Sequence, residues 1–417
     1  MESTAPKKQV LLVDDDPIAL RIYRDGLIRL GFEVKTGTDG LSALQALRAT
    51  RPDIVVLDLM MPRFSGVEVL KFIRGEKQFE GLPVIVLSNA YMDQMAQDAA
   101  VLGAQKGLLK IKCNPASLAA AINEVLAGLP APQNLDCLLA AAKVPDPAAS
   151  PTAASPFAPV FGTAPAPAAP RAPQGPASDP QEQARRELSG NAHALARNLR
   201  QLFEAFIAAR GGKDGELRLQ DLYRKIHFVT AIAGIAEYHA IAQMASALEA
   251  LLFNVMDQST PLEPSVERTT SAALYFLQDL LASPPELRPA SRPHPLVLVV
   301  DDDRVSNRLV ISALRNAQLQ ARGTESPEIA LQWLREKHYD LILLDIEMPG
   351  MNGIDLCKRL RLMPGYAKTP VIYVTLHSDF ETRTRTAISG GNDLIGKPIL
   401  PTELAVKALM HLLKSQR

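Results

Sequence analysis

An internal repeat constrains this chain more than any other feature. Asp14, Asp15, Asp58, Ser88 and Lys110 recur as Asp301, Asp302, Asp345, Thr375 and Lys397, each pair 287 residues apart. One displacement shared by five positions implies two copies of a single folded module. The runs VLLV (10–13), IVVL (54–57) and VIVL (84–87) are short, unbroken and β-branched, as strands buried on both faces of a parallel sheet are. Segments of helical period lie between them, including 18–30 and 40–49. The alternation predicts a doubly wound α/β unit with its site at the carboxyl ends of the strands. Residues 296–414 repeat the pattern with VLVV, LILL and VIYV.

The copies are separated by two different kinds of sequence. Residues 129–183 are rich in proline and alanine and poor in large apolar side chains, so ordering them would cost more than burial returns. They read as an extended linker, with a short helix possible over 135–143. Residues 184–283 carry no strand signal. Helical stretches near 184–209, 216–235, 237–257 and 263–282 predict an antiparallel four-helix bundle. The expected organisation is 7–128 for the first α/β unit, 129–183 for the linker, 184–283 for the bundle and 295–415 for the second α/β unit.

With 45 basic and 45 acidic residues among 417, no net charge draws the chain to nucleic acid or to a membrane surface. There is no apolar run long enough for a membrane span and no secretion signal, so a cytoplasmic protein is expected. Cys113, Cys137 and Cys357 are far apart and odd in number, which argues for free thiols over disulfides or zinc.

The repeated residues carry specific chemistry. Three carboxylates gathered at neighbouring strand ends repel, at a cost of several kcal/mol for like charges about 4 Å apart, unless a cation intervenes. Hard oxygen ligands on a rigid frame suit Mg²⁺, which accepts phosphate oxygens as further ligands. A lysine and a hydroxyl beside them would neutralise and hydrogen-bond a phosphoryl group. Such a pocket suits an aspartyl phosphate.

These residues, within LLVDDD, VVLDLMMPRFSG and VIVLSN and again within LVVDDD, ILLDIEMPGMNG, VIYVTL and LIGKPI, resemble the receiver domain of bacterial two-component response regulators. The resemblance implies two flavodoxin-like domains with Asp58 and Asp345 as phosphoacceptors. It further implies Mg²⁺ held by Asp14, Asp15 and Asp58 in one copy and by Asp301, Asp302 and Asp345 in the other, with the backbone carbonyl of Met60 or Glu347. Ser88 and Thr375 would take the hydroxyl role, Lys110 and Lys397 the lysine role. Two departures stand out. The aromatic residue usual three places before the lysine is Gly107 or Leu394, and the usual Lys-Pro survives as Lys397-Pro398 while Lys110 precedes Ile111. Lys112 is therefore a second candidate for the first copy's lysine.

In the bundle, Leu219, Leu222, Ile226, Val229 and Ala233 define one apolar stripe. At about 100° per residue His227 falls roughly 120° from its centre, which predicts a partly exposed imidazole beside an apolar surface of Phe228, Ile232 and Ile235. A histidine on a four-helix bundle flanked by receivers resembles the histidine phosphotransfer (HPt) domain. The lysine and glycine usual three and four residues after that histidine are Thr230 and Ala231 here. His193 and His239 lack such context and read as structural or solvated.

The expected function is a phosphorelay protein that accepts phosphoryl groups on aspartate from phosphohistidine. The other class is a phosphorylation-controlled interaction scaffold whose bundle is degenerate. An aspartate-nucleophile phosphatase would need an acid two residues past the nucleophile. Met60 excludes it in the first copy, and the motifs around Glu347 argue against it in the second. No nucleotide-binding kinase motif and no DNA-binding pattern occurs, so the chain reads as neither an enzyme nor a transcription factor. Implied partners are a sensor histidine kinase or HPt phosphodonor and a downstream signalling protein, with homodimerisation open and neither nucleic acid nor membrane involved.

Overall fold

A computed structural model describes residues 7–61, 65–89, 93–128, 179–210, 212–256, 262–282, 295–376 and 389–417. The β-branched runs form parallel strands, as the sequence predicts. β1 (Gln9–Val13), β2 (Glu33–Gly37), β3 (Ile54–Asp58), β4 (Val84–Ser88) and β5 (Lys106–Leu109) lie in the order β2-β1-β3-β4-β5. The sheet is flanked by α1 (Pro17–Arg29), α2 (Gly40–Ala49), α3 (Gly66–Gly75), α4 (Asp93–Val101) and α5 (Pro115–Leu126). The register sets Val13 beside Leu57 and Asp58 beside Leu87, so Asp14, Asp58 and Ser88 emerge at one edge of the sheet.

The second unit repeats this plan. β6 (Leu296–Val300), β7 (Gln320–Thr324), β8 (Leu341–Asp345), β9 (Val371–Thr375) and β10 (Asp393–Gly396) take the order β7-β6-β8-β9-β10. Among the described residues its helices are α10 (Arg304–Asn316), α11 (Pro327–Glu336), α12 (Gly353–Arg361) and α13 (Pro401–Ser415). Even the first helix cap repeats. Asp16 accepts from the amides of Ile18 and Ala19 at 2.9 and 2.7 Å, and Asp303 accepts from those of Val305 and Ser306 at 3.2 and 3.0 Å.

Between the units stand α6 (Pro180–Ala208), α7 (Lys213–Ile235), α8 (His239–Met256) and α9 (Pro264–Ala282). Helix α6 starts at Pro180 rather than near 184, because Asp179 caps it and proline is preset for the first turn. Helix α7 starts at Lys213 rather than near 216, with Asp214 and Glu216 in its first turn. The predicted short helix at 135–143, and Cys137 with it, lie outside the described residues. Cys113 and Cys357 are buried free thiols.

The three parts share one apolar core. A continuous cluster runs from Ile22, Leu118 and Ile122 on one face of the first unit, through the bundle, to Leu314, Leu404 and Leu409 on one face of the second. The opposite face of each sheet has its own separate cluster. On the second unit, the surface against the bundle is α13, which packs on α8 and α9. Glu403 accepts hydrogen bonds there from Ser265 and Thr269 at 2.7 and 2.8 Å. Among the described residues, no helix is long and apolar enough to cross a membrane.

Candidate functional site

The first unit gathers its predicted residues into one buried pocket. Asp14 follows β1, Asp58 ends β3, Ser88 ends β4, and Lys110 opens a single 3-10 turn (Lys110–Lys112) just after β5. All four are buried, and Asp15 stands at the rim. Lys110 Nζ lies 3.0 Å from Asp14 Oδ2 and 2.8 Å from Asp58 Oδ2. It therefore fills the lysine position although Ile111 replaces proline. Lys112 is not in the pocket; it donates to Gln318 of the second unit at 3.2 Å.

His227 departs from expectation in an informative way. The periodicity predicts a partly exposed side chain, yet the imidazole is 1% exposed. It does turn away from the bundle's stripe, and what covers it is the pocket of the first unit. Its Nε2 lies 2.9 Å from Lys110 Nζ, 3.5 Å from Asp58 Oδ2, 3.5 Å from Asp14 Oδ1 and 3.4 Å from Asp15 Oδ1. Its Nδ1 lies 2.8 Å from Glu249 Oε1 on α8. Burial and then the Lys110 charge act against protonation of the ring, but Glu249 and Asp14 outweigh them and push the His227 pKa well above its usual value. The ring therefore faces Glu249 through Nδ1 and the pocket carboxylates through Nε2 as a cation.

Contacts around the imidazole fix this docking. Tyr223, one helical turn earlier, stacks on the ring with centroids 5.9 Å apart and donates to the Met60 carbonyl at 3.3 Å. Asn89 Nδ2 donates to the Ser246 carbonyl at 2.9 Å, and Arg21 on α1 pairs with Glu187 on α6 at 3.4 Å. Gly234 permits the closest approach, since a Cβ there would stand 2.8 Å from the Lys110 carbonyl.

The electrostatics follow from burial and mutual contact. Burial pushes Asp14 up, but Lys110 and then His227 outweigh it and hold its carboxyl well below the usual range. For Asp58 burial prevails over Lys110, and its pKa is raised. Burial, with Asp58 and Asp14 adding to it against His227, pushes Asp15 up to about 6. Burial acts against the Lys110 ammonium, yet Asp14 and Asp58 prevail and raise it. Burial raises Glu249, and His227 beside it reverses the shift, leaving it below the usual range.

The second unit holds the same residues without a covering imidazole among the described residues. Lys397 Nζ lies 3.0 Å from Asp301 Oδ2 and 2.7 Å from Asp345 Oδ2, Thr375 is buried behind them, and Asp302 is exposed. Burial raises the Asp345 pKa against the pull of Lys397. The carboxylates of Asp301, Asp302 and Asp345 can meet at one point, as can those of Asp14, Asp15 and Asp58 with the His227 ring. Among the described residues no histidine joins the second cluster.

Comparison with known proteins agrees with this arrangement. The family model described as "Response regulator receiver domain" matches residues 10–123 and 297–409, more than half of the chain. The chain belongs to the response regulator receiver family. We call its two α/β units receiver 1 and receiver 2. Receiver 1 and receiver 2 are thus members of a family that takes phosphoryl groups from histidine kinases or HPt proteins. One relative is the "Probable transcriptional regulatory protein TcrX" of Mycobacterium tuberculosis, 43% identical over 89 residues, covering 21% of this chain and 37% of that protein. Another is the "Sensory/regulatory protein RpfC" of Xanthomonas campestris pv. campestris, 30% identical over 154 residues, covering 34% of this chain and 21% of that protein. Both matches therefore span well under half of the relative's own length. Among solved structures, a putative response regulator from Chloroflexus aurantiacus is 32% identical over 29% of this chain and 99% of its own, with a TM-score of 0.28.

Sequence reasoning missed Glu249, Tyr223, Asn89 and Gly234. Glu249 had a signal, since it is the single carboxylate in the helix HAIAQMASALEALLFNVM and sits within its apolar run ALEALLF. The other three act only through contact between two domains.

Proposed function

We propose that this chain is a phosphorelay protein in which His227 of the bundle and Asp58 of receiver 1 exchange a phosphoryl group within one molecule. The observation that carries the reading is the placement of His227 Nε2, 3.5 Å from Asp58 Oδ2 and 2.9 Å from Lys110 Nζ, with Glu249 on the other ring nitrogen. In the forward step Asp58 Oδ attacks phosphorus, the P–N bond to Nε2 breaks, and Nε2 keeps the electron pair. The ring leaves as neutral imidazole because its proton is already on Nδ1. Lys110 balances charge on the moving phosphoryl oxygens, and Ser88 supplies a hydroxyl beside them. Receiver 2 performs the same acceptor chemistry with Asp345, Thr375 and Lys397. The chain modifies itself and turns over no external substrate.

The donor set fits Mg²⁺. Asp14 Oδ2, Asp15 Oδ1 and Asp58 Oδ2 are buried oxygens that accept no well-formed hydrogen bond, although Lys110 and His227 lie in ionic contact with them. Asp14, Asp15 and Asp58 would hold the ion in receiver 1, and Asp301, Asp302 and Asp345 in receiver 2, where it would neutralise phosphoryl oxygens.

The test uses full-length Asp345→Ala protein treated with a small-molecule acyl phosphate and Mg²⁺. Acyl phosphates on aspartate are destroyed by alkali and phosphohistidine survives it. An alkali-stable label that vanishes in both His227→Gln and Asp58→Asn backgrounds is expected. A label that is wholly alkali-labile and indifferent to His227→Gln overturns the reading.

A further inference from the structure

The repeat allows each surface of receiver 1 that holds the bundle to be compared with its counterpart on receiver 2. On receiver 1, Ile22 is 0% exposed within the core continuous with the bundle, and Ile18 packs against that core. Arg21 pairs with Glu187, and Asn89, 3% exposed, bonds to Ser246. The residues 287 positions further on are Val305, Leu309, Arg308 and Leu376. Val305 is 75% exposed, Leu309 42% and Leu376 66%. Arg308 is exposed and has no ion pair among the described residues. Three exposed apolar side chains and one exposed arginine on receiver 2 thus stand at the positions that, on receiver 1, meet the bundle through Ile18, Ile22, Arg21 and Asn89. Isolated exposed apolar residues are ordinary, but a cluster rimmed by charge marks an interaction surface.

We infer that this face of receiver 2 docks the His227 face of a second copy of the chain. The occupant follows from complementarity already present in the molecule. That bundle face demonstrably fits the matched face of receiver 1, and its Glu187 supplies the acid that Arg308 lacks. The chain's own bundle is not the occupant here, because it holds receiver 2 by α13 and directs His227 into receiver 1. The contact joins unlike surfaces of identical chains, so it is heterologous and builds assemblies larger than a dimer unless it closes into a ring. Its purpose, passing phosphoryl groups between Asp345 and a neighbouring His227, rests on the proposed function above. Its existence does not, and the test reads binding alone.

The His227 face is first uncovered in full-length protein by Asn89→Arg, which places a long cation where Asn89 meets Ser246, or by Asp58→Arg. Reaction of His227 with diethyl pyrocarbonate identifies the variant that opens. Sedimentation velocity of that opened chain is expected to show concentration-dependent oligomers that wild-type protein does not form. Adding Leu309→Glu should weaken the association at least about tenfold, as loss of a central apolar contact does. Arg308→Glu should weaken it by about threefold, with recovery when Glu187→Arg is supplied on the partner chain. Direct phosphorylation of Asp345 by a small-molecule donor should be unchanged in the Leu309→Glu chain, which shows that receiver 2 remains folded. Where it is lost, Leu376→Arg replaces Leu309→Glu. An opened chain that stays monomeric, or oligomers indifferent to these substitutions, overturns the inference.

Discussion

At the residue scale, Glu249 is the position where chemistry and packing meet. It faces Nδ1 at 2.8 Å, orients the imidazole and favours a proton on that nitrogen, so it is a positioning residue. Glu249→Gln retains an oxygen for Nδ1 but no charge, and we expect phosphoryl exchange between His227 and Asp58 to slow by about tenfold, with the Ala variant slower by about a hundredfold. The pH profile of exchange should shift in Glu249→Gln, which loss of packing alone would not produce; quench-flow over a pH series measures both. A second residue carries an acid dependence. Burial acts on Asp393 to raise its pKa, but His411 and Lys407 outweigh it and bring the carboxyl down to about 2. A depressed folded-state pKa stabilises above the unfolded value of 3.8, and that contribution fades as pH falls towards 2. It should amount to about 2 kcal/mol and disappear in Asp393→Asn, as read from denaturant midpoints across that window. Asp14, Asp58 and Lys110 were legible from sequence because a common displacement marks them. Glu249 was not assigned, since its role exists only where α8 meets α7.

At the element scale, the strands were legible because an unbroken β-branched run buried on both faces has few other solutions. Helix ends were less so: α6 and α7 each began earlier than their apolar periods, extended by caps and first-turn acids that carry no hydrophobic signal. The largest miss concerns α7. Its periodicity reports which face meets the bundle's own core, and says nothing of a second domain covering the other face. One pair of elements invites a direct test. Gly66 opens α3 and Gly353 opens α12, and at both positions a Cβ would overlap the carbonyl of the strand-end aspartate, Asp58 or Asp345. Alanine at either should cost roughly 2 kcal/mol or more, because backbone must move to admit it. Chemical denaturation of Gly66→Ala and Gly353→Ala should show loss in the receiver that carries the change.

At the scale of the whole molecule, the two receivers are chemically matched and sterically opposite. Asp58 is capped by His227, whereas among the described residues no histidine covers Asp345, and Asp302 beside it is exposed. A small-molecule phosphodonor should therefore label Asp345 at least about tenfold faster than Asp58, since Asp58 reacts only from the undocked fraction. Opening the molecule with Asn89→Arg should narrow that gap. Peptide-resolved mass spectrometry over time distinguishes the sites, and equal wild-type rates would contradict a capped receiver 1. Sequence already made the pair unequal at Lys397-Pro398 against Lys110-Ile111, but the capping of one site by His227 could not be read there, because the bundle face that meets receiver 1 carries no mark of its partner. Gly234 carries this arrangement into genetics. Its hydrogen leaves just enough space beside the Lys110 carbonyl, in the last turn of α7, which ends at Ile235. A single-nucleotide change to valine or aspartate there would leave protein abundance intact and both domains folded, yet cut the connection between them. In a mutational screen such an allele would look like a lost signal with no lost protein.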